Sequence, residues 1–161
     1  MINDWDNFFV GELGAAAALA GLLFVSVSVN HTRILQLGRM ADRGLEALIM
    51  LLLVVVITSL GLVPNQSPRL LGLEILLAAA LTCRGVFALQ RKYMTEIKPP
   101  YRRRSTVLAI SNQAAVITLA VSGLVTLCRG EAGFYLLPPG ILATFISAFA
   151  NAWVLLIEIL R

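Results

Sequence analysis

Five stretches of about twenty apolar residues, divided by short polar or basic segments, constrain this chain more than any other feature. They cover residues 10–29, 45–63, 70–89, 106–127 and 141–160. At a helical rise of about 1.5 Å per residue, twenty residues reach roughly 30 Å, the thickness of a bilayer's hydrocarbon core. The expected fold is all-α: one integral membrane bundle of five transmembrane helices occupying residues 1–161 as a single domain. Charged residues make up 14% of the chain, against about 25% in an average soluble domain. Hydrophobic residues make up 58%, and the mean hydropathy is +0.84. A soluble fold would lack the polar surface needed to cover such a core.

The breaks between runs carry turn chemistry. Pro64-Asn65-Gln66-Ser67-Pro68 cannot continue a helix, Arg129-Gly130-Glu131 marks a short loop, and Pro138-Pro139-Gly140 introduces the last run. Ile34, Leu37 and Met40 repeat every three residues between arginines, which fits either a short interfacial helix or a plain loop. The residues before the first run are acidic and aromatic (Asp4, Trp5, Asp6, Phe8, Phe9) and lack the positive leader of a cleavable signal. The first helix is therefore expected to be retained.

Orientation follows from lysine and arginine. With the N-terminus outside, the inner segments hold Arg33, Arg39, Arg43, Arg91, Lys92, Lys98, Arg102, Arg103, Arg104 and Arg161, and the outer ones only Arg69 and Arg129. Ten against two on short loops predicts the N-terminus outside and the C-terminus in the cytoplasm. The net charge of +4 sits in these flanks rather than on a solvated face, which argues against nucleic-acid binding. Cys83 and Cys128 fall toward opposite ends of the bilayer, too far apart for a disulfide.

Ionisable residues inside a bilayer cost several kcal/mol, so each is a candidate for function. Glu12 and Glu74 both lie about four residues, roughly 6 Å, in from the outer boundary. Two carboxylates at equal depth can bind a cation, share a proton or line a pore mouth. Alternatively, each accepts hydrogen bonds from a helix end or pairs with Arg69 or Arg129. Glu46, Arg84 and Glu158 lie toward the inner face, and the favoured reading there is a structural salt bridge from Arg84 to Glu46 or Glu158. The fourth run carries Ser111, Asn112, Gln113, Thr118, Ser122 and Thr126, of which 111, 118 and 122 share one helical stripe, and the fifth adds Thr144, Ser147 and Asn151 along one side; such stripes either bond neighbouring helices or line a wet path. Asn112, Ser122 and Asn151 are the permeation candidates among them. In the first run, Gly14 with Ala18 and Ala17 with Gly21 give small-xxx-small faces for close helix contact, within the monomer or between subunits.

Catalytic chemistry is poorly represented. His31 is the lone histidine, with no HExxH, Cys-x-x-Cys or glycine-rich phosphate loop. Neither an enzymatic activity nor a metal or other cofactor is expected.

The opening Trp5-x-x-Phe8-Phe9-Val10, the run Gly14 to Val25 and the ending Asn151-Ala152-Trp153-Val154-Leu155-Leu156 resemble a group of small bacterial membrane proteins common in actinobacteria. Some of these carry the label modulator of FtsH protease. The resemblance implies the bacterial cytoplasmic membrane and a protein partner rather than a reaction. Two functions follow as expectations. The first is a homo-oligomeric channel or exchanger for a small cation or proton, with Glu12 and Glu74 at its outer site. The second is an accessory subunit that binds another membrane protein, such as a protease or transporter, through the small-residue face of the first helix.

Overall fold

The computed structural model describes residues 5–29, 38–95, 97 and 99–160. Regular structure among these residues is helical throughout: α1 (Asp6–Val29), α2 (Gly38–Gly61), α3 (Pro68–Met94), α4 (Pro99–Arg129), a 3₁₀ segment (Gly130–Leu136) and α5 (Leu137–Leu160). Four continuous helical stretches are long and apolar enough to cross a membrane: Asp6–Val29, Ala41–Gly61, Pro68–Met94 and Arg102–Trp153. The last runs for 52 residues through the 3₁₀ segment, where the chain turns so that α4 and α5 pack side by side.

Most helices outrun the apolar stretches that announce them. Backbone hydrogen bonding carries the helices on past the apolar residues into the polar and basic flanks. Thus α3 takes in Arg91 and Lys92 in its last turn, and α4 starts at Pro99, before the Arg102–Arg104 triplet. Proline is tolerated at such starts because the first N–H groups have no helical acceptor. Ser67 caps α3, its hydroxyl accepting from the Leu70 N–H at 3.3 Å, and Asn65 takes the left-handed conformation (φ 57°) that the preceding turn requires. The helix α2 begins at Gly38 and takes in Met40 to Arg43; Ile34, Leu37 and His31 lie outside the described residues.

Helices α2, α3, α4 and α5 close into a bundle in which each packs on the next and α5 returns to α2. Buried residues on α4 recur at alternating steps of four and three: Ser105, Ala109, Asn112, Val116, Leu119. That spacing keeps one seam facing the partner helix. The widest interface is between α3 and α4, and two glycines make it close. A Cβ on Gly72 would lie 2.5 Å from the Leu127 nitrogen, and one on Gly123 would lie 2.7 Å from the Leu76 nitrogen. Here backbone meets backbone, with no room for any side chain.

Helix α1 stands apart. It lies along α2, touches α5 only at the margin, and buries a narrow stripe, Phe9, Ala16 and Leu23, one residue every two turns. Its N-terminal end is fastened by aromatic edges: Trp5 meets Phe134 at 5.9 Å and Tyr135 at 5.3 Å between centroids, and Phe9 meets Phe134 at 6.2 Å. These T-shaped contacts join α1 to the 3₁₀ segment.

Candidate functional site: a buried polar cluster around Glu46

The expected salt bridge between Arg84 and Glu46 does not form. Arg84 is exposed on α3, and Glu46, with 0% of its surface accessible, is held by neutral groups. Its Oε1 accepts from Gln90 Nε2 and Asn112 Nδ2, both at 2.6 Å, and its Oε2 accepts from the Tyr93 hydroxyl at 3.0 Å. The reason is helical register. Val86, Gln90 and Tyr93 lie at i, i+4 and i+7 on the buried face of α3, whereas Arg84 falls off that face. The side chain of Glu158 on α5 lies outside the described residues.

Further bonds extend the cluster. Gln90 Nε2 also donates to the Ala109 carbonyl at 3.2 Å, and Gln113 Nε2 donates to Gln90 Oε1 at 3.1 Å. The Cys83 thiol donates to Gln113 Oε1 at 3.0 Å. Arg43, buried one turn before Glu46, places its guanidinium 5.2 Å from the Tyr93 ring centroid and donates to the Ser105 hydroxyl. Lys92 and Asp42 form an ion pair at 2.9 Å at the rim, with Lys92 64% exposed. Three helices thus meet through one carboxylate, and hydrogen bonds to a charged group contribute about 1.5–3 kcal/mol each. One acceptor is left over: Asn112 Oδ1 is buried and has no hydrogen-bond partner.

The outer carboxylates are not brought together in this way. Glu12 is half-buried on α1, which packs on α2, whereas Glu74 is on α3 and accepts from Gln66 Nε2. No extended contact joins α1 to α3 among the described residues. The hydroxyl and amide stripes bond helix backbones. Ser122 donates to the Gly133 carbonyl at 2.8 Å, which ties α4 to the 3₁₀ segment, and Thr126 donates to the Ser122 carbonyl at 2.8 Å. Thr144 and Asn151 donate to Gly140 and Ser147 carbonyls on their own helix, and Ser111 meets Ser147 at 3.3 Å between α4 and α5. Of the permeation candidates, Asn112 alone touches a carboxylate.

Gln90 and Tyr93 are members of the cluster that sequence reasoning passed over, and Gln113, noted among the polar residues of the fourth run, joins them. A signal was available: two polar residues three apart at the end of an apolar run share one face. What the run does not disclose is that this face points inward. Cys83 and Cys128 are both free thiols. Among the described residues no group of three or more His, Cys, Asp and Glu side chains is placed to hold a metal ion.

A groove of about 240 Å³ runs between α1 and α5 beside Leu51 of α2, lined mostly by apolar residues (Leu19, Leu22, Phe149, Trp153) with Ser26 among them. Comparison with protein-family models, curated proteins and solved structures gives no match to this chain.

Proposed function

We propose that this chain is a non-enzymatic, five-span protein of the bacterial cytoplasmic membrane, N-terminus outside and C-terminus inside. In this reading it serves as an accessory subunit that binds another membrane protein through α1. The ten-to-two distribution of lysine and arginine supports the orientation. A single span for the 52-residue stretch would be roughly 78 Å long at helical rise, far beyond any bilayer, so α4 and α5 are read as two crossings.

The observation that carries the binding role is the outward face of α1. Gly11, Gly14, Ala18 and Gly21 recur at steps of three, four and three, opposite the buried stripe Phe9, Ala16, Leu23. A Cβ placed on Gly11, Gly14 or Gly21 meets nothing within 4 Å, and Ala18 is exposed. The small residues therefore do not serve the monomer's own packing, in contrast to Gly72 and Gly123. In lipid, where apolar burial gives no drive, such faces associate because they let two backbones approach. The occupant is a transmembrane helix of a neighbouring membrane protein; a homo-oligomer would place a second copy there. The resemblance to proteins labelled modulator of FtsH protease agrees with a role carried out on a partner.

The test is a Gly14→Leu/Ala18→Leu double variant in native membranes. The purified chain should be no less stable than wild type, since leucine gains up to about 1 kcal/mol of helix propensity over glycine, while the native complex collapses to the size of the lone chain. A complex that survives both leucines would refute the docking role.

For the ion-permeation reading, Glu12 and Glu74 stand on helices with no extended contact within the monomer, and the buried inner carboxylate Glu46 offers a second place for a cation.

A further inference from the structure

We propose that Glu46 and Asn112 form a buried binding site for a monovalent alkali cation of the sodium type. The inference is independent of the docking role of α1.

Two features of the cluster call for positive charge, and they are adjacent. The first is Glu46, a carboxylate with no accessible surface whose hydrogen-bond partners are all neutral. Among the described residues no basic group forms an ion pair with it, although buried Arg43 belongs to the same cluster. Arg43 lies over the Tyr93 ring and donates to Ser105, and Lys92 pairs with Asp42. Arg91 stacks on Phe87, and the Arg102–Arg104 triplet on α4 is exposed. Amide and hydroxyl donors offset part of the desolvation of a buried carboxylate, but they do not cancel its charge. The second feature is Asn112 Oδ1, on a residue with 0% exposure, an acceptor left without a donor although the Nδ2 of the same amide bonds Glu46. A proton on Glu46 would answer the first need and leave the second. A cation answers both.

The donor set selects the ion. The oxygens of the cluster are the Glu46 carboxylate, the Asn112 Oδ1 that no donor reaches and the Tyr93 hydroxyl, with Gln90 Oε1 taken by Gln113 and the Ala109 carbonyl by Gln90. Hard oxygen donors suit alkali and alkaline-earth cations rather than thiophilic or imidazole-seeking metals. A single carboxylate neutralises a single charge, so a divalent ion would leave net positive charge in a low-dielectric interior. The site lies toward the start of α2 and the end of α3, with Glu46 one helical turn beyond Asp42 of the Asp42–Lys92 ion pair.

The test uses the full chain in lipid nanodiscs, with thermal unfolding followed at constant ionic strength in sodium, potassium, lithium or N-methylglucamine chloride. The wild type should show a saturable rise in Tm with sodium over N-methylglucamine, and Glu46→Gln should lose it. Asn112→Asp adds a second carboxylate and should replace the sodium response with a calcium response. A wild type indifferent to all three alkali cations overturns the proposal, whatever the variants do. So does a sodium response that persists unchanged in Glu46→Gln or Asn112→Asp. If Glu46→Gln does not fold, Asn112→Asp and the wild-type titration decide the matter between them.

Discussion

Replacing Gly72 with alanine tests the close approach of α3 to α4, and the size of the effect can be worked from the geometry. The new Cβ would stand 2.5 Å from the Leu127 nitrogen, 2.9 Å from the Gly123 oxygen and 2.9 Å from the Thr126 carbonyl carbon. Ordinary contact begins near 3.4 Å, so α3 and α4 must part locally by about 0.9 Å (3.4 − 2.5). Every one of these obstacles is backbone, and no rotamer change relieves them. Overpacking of this kind costs about 1–3 kcal/mol. Alanine also gains up to about 1 kcal/mol of helix propensity over glycine, which masks part of the cost. The clean comparison is therefore with Gly14→Ala, where the propensity gain is the same and the new Cβ meets nothing within 4 Å. The difference between the two variants should be about 1–3 kcal/mol, with Gly72→Ala the less stable. Equilibrium unfolding in mixed dodecyl sulfate and maltoside micelles, followed through Trp5 and Trp153, measures it. A difference below about 0.5 kcal/mol would refute the reading of α3–α4 as a backbone-to-backbone contact.

Three other outcomes are expected. Glu46→Ala strands the Gln90, Asn112 and Tyr93 donors inside the bundle, at about 1–3 kcal/mol for each buried unsatisfied group; the same micelle titration should show it far below wild type. Ser122→Ala removes the bond to the Gly133 carbonyl at a cost of about 0.5–1.5 kcal/mol, and hydrogen exchange should rise selectively across residues 130–136. Exposed Cys128 at the end of α4 should react with a membrane-impermeant maleimide in intact cells, while Cys83, bonded to Gln113, should not; labelling of Cys128 only after permeabilisation would reverse the proposed orientation.

The elements were legible in the sequence because each helix carries one apolar run of about twenty residues bounded by polar or basic segments. Each of the five runs falls within an observed helix or overshoots its end by two residues at most, as 45–63 does past Gly61. Helix ends were less legible, since α2 and α4 begin seven residues ahead of their apolar runs, where no solvent boundary marks them. Pairing was not legible at all. Equal depth made Glu12 and Glu74 look like partners, yet depth fixes one coordinate only, and the rotation and neighbours of a helix come from packing. The same limit hid Glu46 among its true partners: Arg84 was the obvious countercharge, but its register turns it away from the α3 face that carries Gln90 and Tyr93. Glycines show the effect most plainly. Gly14 and Gly21 sit in a recognisable small-residue pattern and face outward, whereas Gly72 and Gly123, in no such pattern, let the α3 and α4 backbones meet.

The docking role of α1 is tested most directly by photo-crosslinking from single positions along residues 10–25 in native membranes. Adducts to a partner protein should peak at positions 11, 14, 18 and 21 and fall to background at positions 13, 16, 20 and 23. A flat profile, or one that peaks on the stripe holding Ala16 and Leu23, would contradict it.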